Sequence, residues 1–268
     1  MALPPNVRVL SELDEGEEDF DVRDTTLMQN LRDAEDRHFW HLARNELLAA
    51  RLRALGGRPP MRLIDLGCGG GSVSAHLARE GYRVTGVDGH LGRVVEAARR
   101  APMAEFVVHD LRVGTDVLPD GFDVAGLFDV LEHLDEPERA LEGAVSRVRP
   151  GGLVVGTVPA LMALWSHVDV LAGHKTRYSA RTLRRVLDGV RGATLREVSP
   201  FFRSLVPPMF VQRRARAGSE DHLKVPPRPV NQGFLWLLRG ERRLFDRLPA
   251  LVRATPGASL FFALERRL

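Results

Sequence analysis

The spacing of apolar positions changes near residue 60 of this 268-residue chain. Between Leu27 and Leu55, apolar residues recur near the helical period with arginines between them, which predicts one or two helices. Further along, short apolar runs alternate with stretches of helical spacing. The runs predict strands at Arg62–Leu66, Arg83–Val87, Glu105–Val108, Phe122–Phe128, Leu153–Val158, Thr194–Val198 and Ser259–Leu264. The stretches between them predict helices at Ser72–Glu80, Arg93–Arg100, Glu138–Val148 and Ser179–Leu187.

Strands that alternate with helices of this length need crossover connections, so the pattern predicts an α/β fold with a mostly parallel, seven-stranded sheet and helices on both faces. Residues 1–24 are expected to form an acidic, solvated tail, and residues 25–58 an N-terminal helical cap. The main domain is expected to span residues 59–268. Proline pairs interrupt the alternation of strands and helices at about residues 200–255, which predicts a C-terminal lid insertion there.

The composition narrows the class of protein. With 44% hydrophobic and 27% charged residues, the chain is neither disordered nor collagen-like. Its one cysteine, Cys68, cannot form an internal disulfide, which predicts a cytoplasmic compartment. The chain starts without a signal-peptide pattern, and no apolar run approaches the ~18 residues of a membrane span. A net charge of +3 gives no reason to expect a nucleic-acid partner.

A glycine-rich turn follows the first strand of the α/β region. In Leu63–Gly71, the strand runs into Gly67 and Gly69, so the backbone turns tightly and has no Cβ in the way of a ligand. The next helix offers free N–H groups at its start. An NAD-binding fingerprint would need a third glycine where Ser72 stands, which argues against an NAD-dependent oxidoreductase. Taken alone, the turn could be purely structural.

Two acids follow the next two strands. Asp88 ends the second strand, about twenty residues after the glycine turn, where a carboxylate accepts hydrogen bonds from ribose hydroxyls. Asp110 ends the third strand and is placed to face an adenine amino group. Acids are common in such loops for structural reasons. Their joint position at successive strand ends, where open α/β sheets bind ligands, favours a nucleotide-binding interpretation.

With these motifs in order, the chain resembles the class I S-adenosylmethionine-dependent methyltransferases, whose fold is Rossmann-like. The resemblance is carried by Leu63–Gly71, Val84–Asp88, His109–Leu111, Phe122–Leu134 and Arg149–Gly152. It covers roughly residues 60–200 and the closing strand near 259–265. It implies S-adenosylmethionine as the cofactor. The residues expected to bind it are Arg44, Asp65, Gly67, Cys68, Gly69, Gly71, Asp88, Gly89, Asp110, Leu111, Phe128 and His133.

Two histidines are candidates for the general base, His133 after the fourth strand and His174 after the fifth. The alternative interpretation of His133, a packed histidine at the start of the next helix, is equally compatible with the sequence. Asp129, Glu132 and His133 have i, i+3, i+4 spacing, and a helix here would put all three on one face. Some quinone-type methyltransferases that resemble this pattern bind a divalent ion with such a group. A metal is the minority interpretation, and none is predicted.

Polar and aromatic residues predict the acceptor site. They are Phe39, Trp40, Trp165, His167, Asp169 and Tyr178. Phe39 and Trp40 belong to the cap, where Arg44 is expected to clamp the methionine carboxylate. The others follow the fifth strand, where loops commonly contact substrates. Each of these residues also has a plain structural interpretation as a core aromatic, a helix cap or a surface contact.

The sequence therefore predicts methyl transfer to an oxygen or nitrogen of a small or medium organic acceptor, such as a natural product, a quinone or phenol, a sugar or a lipid-linked intermediate. The lid region, rich in arginine and apolar residues, allows contact with a membrane surface or a glycan-linked acceptor. The chain is expected to be a monomer or homodimer. The alternatives are a non-catalytic S-adenosylmethionine-binding module and an NAD-dependent oxidoreductase.

Overall fold

An eight-stranded sheet organises the chain. The computed structural model describes residues 3–11, 32–215, 225–247 and 255–268. The strands are β1 (Val7–Val9), β2 (Arg62–Leu66), β3 (Arg83–Asp88), β4 (Glu105–Val108), β5 (Phe122–Phe128), β6 (Val148–Pro159), β7 (Ala193–Phe201) and β8 (Ser259–Arg266). Their order across the sheet is β1-β4-β3-β2-β5-β6-β8-β7. The first six strands pair in parallel, whereas β8 runs antiparallel between β6 and β7.

The predicted α/β class and mostly parallel sheet are confirmed, but the predicted count of seven strands is wrong. The extra strand is β1, which pairs with β4 through Val7 and Phe106. Three residues beside an acidic stretch give too short an apolar run to be identified from the sequence. Part of the predicted solvated tail is therefore a sheet edge. The acidic positions between residues 12 and 24 lie outside the described residues.

Helices cover both faces of the sheet. They are α1 (Phe39–Ala54), α2 (Ser72–Arg79), α3 (Leu91–Arg100), α4 (Pro137–Arg147), α5 (His167–Leu171), α6 (Ala180–Asp188), α7 (Val206–Ala215) and α8 (Arg228–Arg247). Residues 32–37 are helical and precede α1. Short 3₁₀ turns lie at Leu111–Val113, Leu131–His133, Met162–Leu164 and Arg203–Leu205.

Successive residues of a strand point to opposite faces of the sheet and pack into two separate apolar layers. Val155 of β6 packs in the layer that contains α1, α2, α3 and part of α8, and its neighbour Val154 packs in the layer that contains α4 and α6. Helix α1, from the predicted cap, and the described helices α7 and α8, from the predicted lid, therefore pack on the same face of the sheet. No helix within the described ranges is long and apolar enough to cross a membrane.

The topology brings the candidate residues together. The strand order reverses between β2 and β5, and open α/β sheets bind ligands at such a switch point, beside the carboxyl ends of the strands. Gly67 follows β2, Asp88 ends β3, Asp110 lies just beyond β4 and Asp129 follows β5. All four positions therefore lie at one edge of the sheet.

Candidate functional site

The glycine turn after β2 has a backbone that only glycine accommodates well. Gly67, Gly69 and Gly71 have φ angles of +79°, +53° and +77°. A Cβ on Gly67 would lie 2.6 Å from Cγ2 of Val130, and one on Gly71 would lie 2.6 Å from Cβ of Ala97. Side chains at positions 67 and 71 would therefore overlap these neighbours, so the turn closes this tightly only with glycine there.

Asp88 is held beside this turn by two backbone donors. Its Oδ2 accepts a hydrogen bond from the Gly69 N–H at 2.9 Å, and its Oδ1 accepts one from the His90 N–H at 3.0 Å. Each carboxylate oxygen retains a second acceptor site. The orientation and remaining capacity of Asp88 fit the two hydroxyls of a ribose.

Asp65 is a buried carboxyl with one oxygen unused. Its side chain is 1% exposed. Oδ2 accepts a hydrogen bond from Ser74 Oγ at 2.5 Å, and Oδ1 has no hydrogen-bond partner among the residues that the structure describes. Burial raises the pKa of Asp65 to about 6, although the Ser74 hydrogen bond acts in the opposite direction. An orphaned buried acceptor fits a ligand with a cationic amine, as the amino-acid half of S-adenosylmethionine has.

The remaining residues predicted to bind the cofactor differ in burial and in the hydrogen bonds that they already make. Phe128 and Cys68 are buried, and burial raises the pKa of the Cys68 thiol, so it is unreactive. Asp110 accepts hydrogen bonds from Nε and Nη2 of Arg112, both at 3.1 Å. Its carboxylate is therefore already engaged by Arg112, and contact with an adenine amino group stays a prediction. Leu111 packs against the core and Gly89 follows Asp88 at the edge.

Glu35 joins the cap region to the glycine turn. Its carboxylate accepts hydrogen bonds from Arg93 at 2.7 Å and from Arg100 at 2.6 Å, and Arg100 also donates to the Gly70 carbonyl at 2.5 Å. Burial alone would raise the pKa of Glu35, but the two guanidinium groups outweigh it and lower that pKa. This cluster fixes residues 32–37 over the turn. No sequence pattern indicated it, because Glu35 is 58 and 65 residues away from the two arginines.

Arg44 forms an ion pair with Asp129 of the chain itself. The Asp129 backbone has a φ of +57°, and its Oδ1 accepts a hydrogen bond from Thr157 Oγ1 at 3.0 Å. The predicted clamp of Arg44 on a methionine carboxylate would therefore require this guanidinium to be shared. A positive φ in a non-glycine residue is strained and is typical of functional sites.

A cavity of about 610 Å³ opens next to the Arg44–Asp129 pair. Its size suits a drug-sized ligand. One wall is aromatic, since Phe39 stacks on Phe234 with ring centroids 4.8 Å apart and Trp40 lies beside them. The polar residues lining it are His38, His41, Arg44, Asp129, Glu132, Asp169, His174, Arg177, Gln212, Arg213 and Ser259.

His174 is oriented by Asp169 at this cavity. Asp169 Oδ1 lies 2.9 Å from His174 Nδ1 and 2.7 Å from Arg177 Nε. Asp169 Oδ2 accepts hydrogen bonds from the Ser166 N–H at 2.9 Å and from Arg213 at 3.0 Å. Burial would raise the pKa of Asp169, but the His174 hydrogen bond and the arginines lower it well below its ordinary value. Asp169 therefore stays ionised.

Glu132 is the most deeply buried acid of the cavity. It is 0% exposed, and neither carboxylate oxygen has a hydrogen-bond partner among the described residues. Burial, followed by the charge of Asp129, raises its pKa well above the ordinary value. One potential ligand atom from each of Glu132, His133 and His174 lies within 4.8 Å of the others.

The helical face predicted for Asp129, Glu132 and His133 does not form. Asp129 lies before the 3₁₀ turn Leu131–His133 with its positive φ, and its carboxylate is paired with Arg44. In place of Asp129, the residue beside Glu132 and His133 is His174, which lies forty-one residues beyond His133 in the sequence.

The structure divides the predicted acceptor residues. Phe39, Trp40 and Asp169 line the cavity, whereas Trp165, His167 and Tyr178 do not. Tyr178 is buried and donates a hydrogen bond to the Leu131 carbonyl at 3.2 Å. Of the two predicted bases, His174 lines the cavity. The ring of His133 packs edge-on against the ring of His174, with centroids 5.0 Å apart.

Sequence reasoning missed His38, His41, Arg177 and Arg213 as cavity residues. Arg177 could have been found, because it follows Asp169 and His174 by spacings that one polar loop can bring together. Arg213 comes from the lid helix α7, and no local pattern connects it to Asp169.

Curated relatives match about half of the chain. The ubiquinone biosynthesis O-methyltransferase of Azorhizobium caulinodans is 39% identical over 129 residues, which are 47% of this chain and 47% of that protein. The chain thus spans about half the length of the curated relatives it matches.

Solved structures resemble the fold over most of its length. The plantazolicin methyltransferase BpumL in complex with SAH has a TM-score of 0.59 at 12% identity, covering 92% of this chain and 91% of that one. The cyclase SpnF has a TM-score of 0.56 at 18% identity, covering 85% and 84%. At these identities the likeness concerns the fold alone.

The family model described as "Methyltransferase domain" matches residues 39–194, which are more than half of the chain and include β2 to β6, the glycine turn, Asp65, Asp88 and Asp129. The family expected from the glycine turn and its acids is thereby confirmed: the chain belongs to the methyltransferase domain family.

Proposed function

We propose that this protein transfers the methyl group of S-adenosylmethionine to an oxygen or nitrogen of a small or medium organic acceptor. The observation that carries the proposal is the adjacency of two parts. The glycine turn lies at one strand edge with Asp88 and with Asp65, whose Oδ1 has no hydrogen-bond partner among the described residues, and a cavity of about 610 Å³ opens next to Asp129 at the same edge. A methyl donor and an acceptor need such neighbouring sites.

The chain's residues have separate tasks in this proposal. Asp88 accepts hydrogen bonds from the ribose hydroxyls, and Asp65 faces the ammonium group. Arg44 and Asp129 lie between the site of the methyl donor and the site of the methyl acceptor. S-adenosylmethionine, when bound, supplies an electrophilic methyl carbon on its sulfonium. The protein then contributes alignment of the acceptor and exclusion of water, which the cap and lid provide.

His174 is the proposed general base. Asp169 accepts the hydrogen bond from Nδ1–H, which leaves Nε2 of the neutral ring as the acceptor. Nε2 can then take the proton of an acceptor hydroxyl or amine as the new bond to carbon forms. Asp169 acts through His174 and is a positioning residue.

The acceptor's wider setting is part of the proposal. Trp236, 70% exposed, and the exposed Leu237 and Leu244 form an apolar stripe on α8, with the exposed Arg243 beside it. This supports a lipid-linked acceptor reached from a cytoplasmic membrane surface. Co-sedimentation of the protein with anionic but not neutral liposomes would support contact of α8 with a membrane surface. Absence of binding to anionic vesicles would contradict this part of the proposal.

The test of function is release of S-adenosylhomocysteine from S-adenosylmethionine with a panel of phenols, hydroxybenzoates and aromatic amines. We expect acceptor-dependent turnover. His174→Gln should lower kcat by about 10²–10⁴-fold with unchanged cofactor affinity. His167→Gln is the matched control, because His167 is exposed and does not line the cavity. Cofactor binding without turnover of any acceptor would favour a non-catalytic module.

A further inference from the structure

Two guanidinium groups share one carboxylate at the polar end of the cavity. Arg177 and Arg213 both form ion pairs with Asp169. Within the described part of the chain, the Asp129 carboxylate of the cavity is already paired with Arg44. Asp169 therefore provides one negative charge for two guanidinium groups.

The two arginines are not equivalent. Arg177 donates from Nε to Asp169 and from Nη1 to the Ala160 carbonyl at 2.9 Å, and its side chain is 5% exposed. Arg213 donates from Nη1 alone, to Asp169 and to the Leu164 carbonyl. Its side chain is 13% exposed and lines the cavity. Among the contacts of the described residues, Nε and Nη2 of Arg213 have no protein acceptor and remain for a ligand.

Burial makes this arrangement costly without a ligand. Burial is the largest influence on Arg213, followed by repulsion from Arg177, and they lower its pKa to about 10 despite Asp169. A buried charge is normally paired or hydrogen-bonded. A planar fork with two free donor nitrogens suits carboxylate or phosphate oxygens.

We infer that Arg213 binds an anionic oxygen group of the methyl acceptor, a carboxylate or a phosphate, whose apolar or ring-bearing body lies against Phe39, Trp40 and Phe234. The inference rests on the proposed function only in calling the ligand a methyl acceptor. Because α7 belongs to the lid, the same contact ties the lid to the bound acceptor.

The test uses the full chain and three probes with one ring system: 2-naphthoate, 2-naphthyl phosphate and the neutral 2-naphthamide. Calorimetric titration is done without cofactor, so the result does not depend on methyl transfer. We expect at least one anion to bind at least tenfold more tightly than the amide, which is about 1.4 kcal/mol. The preferred anion distinguishes a carboxylate-bearing from a phosphate-bearing acceptor.

Arg213→Gln should abolish this preference, and Arg213→Lys should keep part of it because it retains the charge and the Asp169 pair. The matched control is Arg184→Gln, which removes an exposed arginine from α6, away from the cavity. Thermal unfolding checks that each variant folds. Absence of any anion preference in the natural chain, or its persistence in Arg213→Gln, would overturn the inference. An intact preference in a chain that releases no S-adenosylhomocysteine would contradict the proposed function alone.

Discussion

Asp65 gives the protein a component of stability that depends on pH. Its pKa is raised by burial to about 6, against an ordinary value of 3.8. The native state therefore binds more protons than the unfolded state between these values. Stability from this group is fully present below the unfolded pKa and is lost as the pH rises through the folded pKa. The difference corresponds to about 3 kcal/mol in total.

The perturbation is Asp65→Asn, which keeps the shape and cannot ionise. About half of the total, roughly 1.4 kcal/mol, falls between about pH 5 and pH 8. Urea unfolding of both proteins should therefore show the variant gaining that amount relative to the natural chain over this interval. The slope of the difference is the readout, because any constant cost of the amide beside Ser74 cancels.

The matched control is Asp120→Asn at an exposed position, whose stability difference should not change with pH. A cationic amine beside Asp65 would lower its pKa, so saturating S-adenosylmethionine should flatten the slope for the natural chain. A stability difference between Asp65→Asn and the natural chain that stays constant from pH 5 to pH 8 would refute the reasoning.

Three further predictions concern the turn, the acceptor wall and metal dependence. Gly71→Ala should lower the free energy of unfolding in urea by about 1–3 kcal/mol, since its Cβ would overlap Ala97, whereas Gly151→Ala, with a similar φ of +72° but open space, should cost less. Trp40→Ala should raise the acceptor KM at least severalfold and leave cofactor affinity unchanged; a loss of cofactor affinity would contradict this. Dialysis against EDTA should leave turnover intact, and activity restored only by Mg²⁺ would indicate a metal at Glu132, His133 and His174.

The parts of the fold that follow local periodicity were predictable. Glu105–Val108 and Phe122–Phe128 have the predicted bounds, because short buried strands between turns give continuous apolar runs. The glycine turn was predictable because strand, glycines and helix are adjacent in sequence. β1 was not, since three residues bury little surface and its pairing depends on β4, about a hundred residues away.

The acceptor site could be predicted only in part. Phe39, Trp40, Asp169 and His174 were found because aromatic and polar residues cluster near the cap and after β6. The spacing of Asp129, Glu132 and His133 would place the three on one face only if this segment were helical, whereas Asp129 has a positive φ and pairs with Arg44. The contact of Arg213 with Asp169 spans 44 residues and depends on how the lid packs, which no local pattern encodes.

The most direct test is calorimetric titration of S-adenosylmethionine into the natural chain, Asp88→Asn and the surface control Asp120→Asn. Asp88→Asn removes charged acceptors for the ribose hydroxyls, each worth about 1.5–3 kcal/mol. We predict one molecule bound per chain, at least tenfold weaker binding to Asp88→Asn, and no change in the control. No binding to the natural chain, or equal binding to Asp88→Asn, would contradict the account.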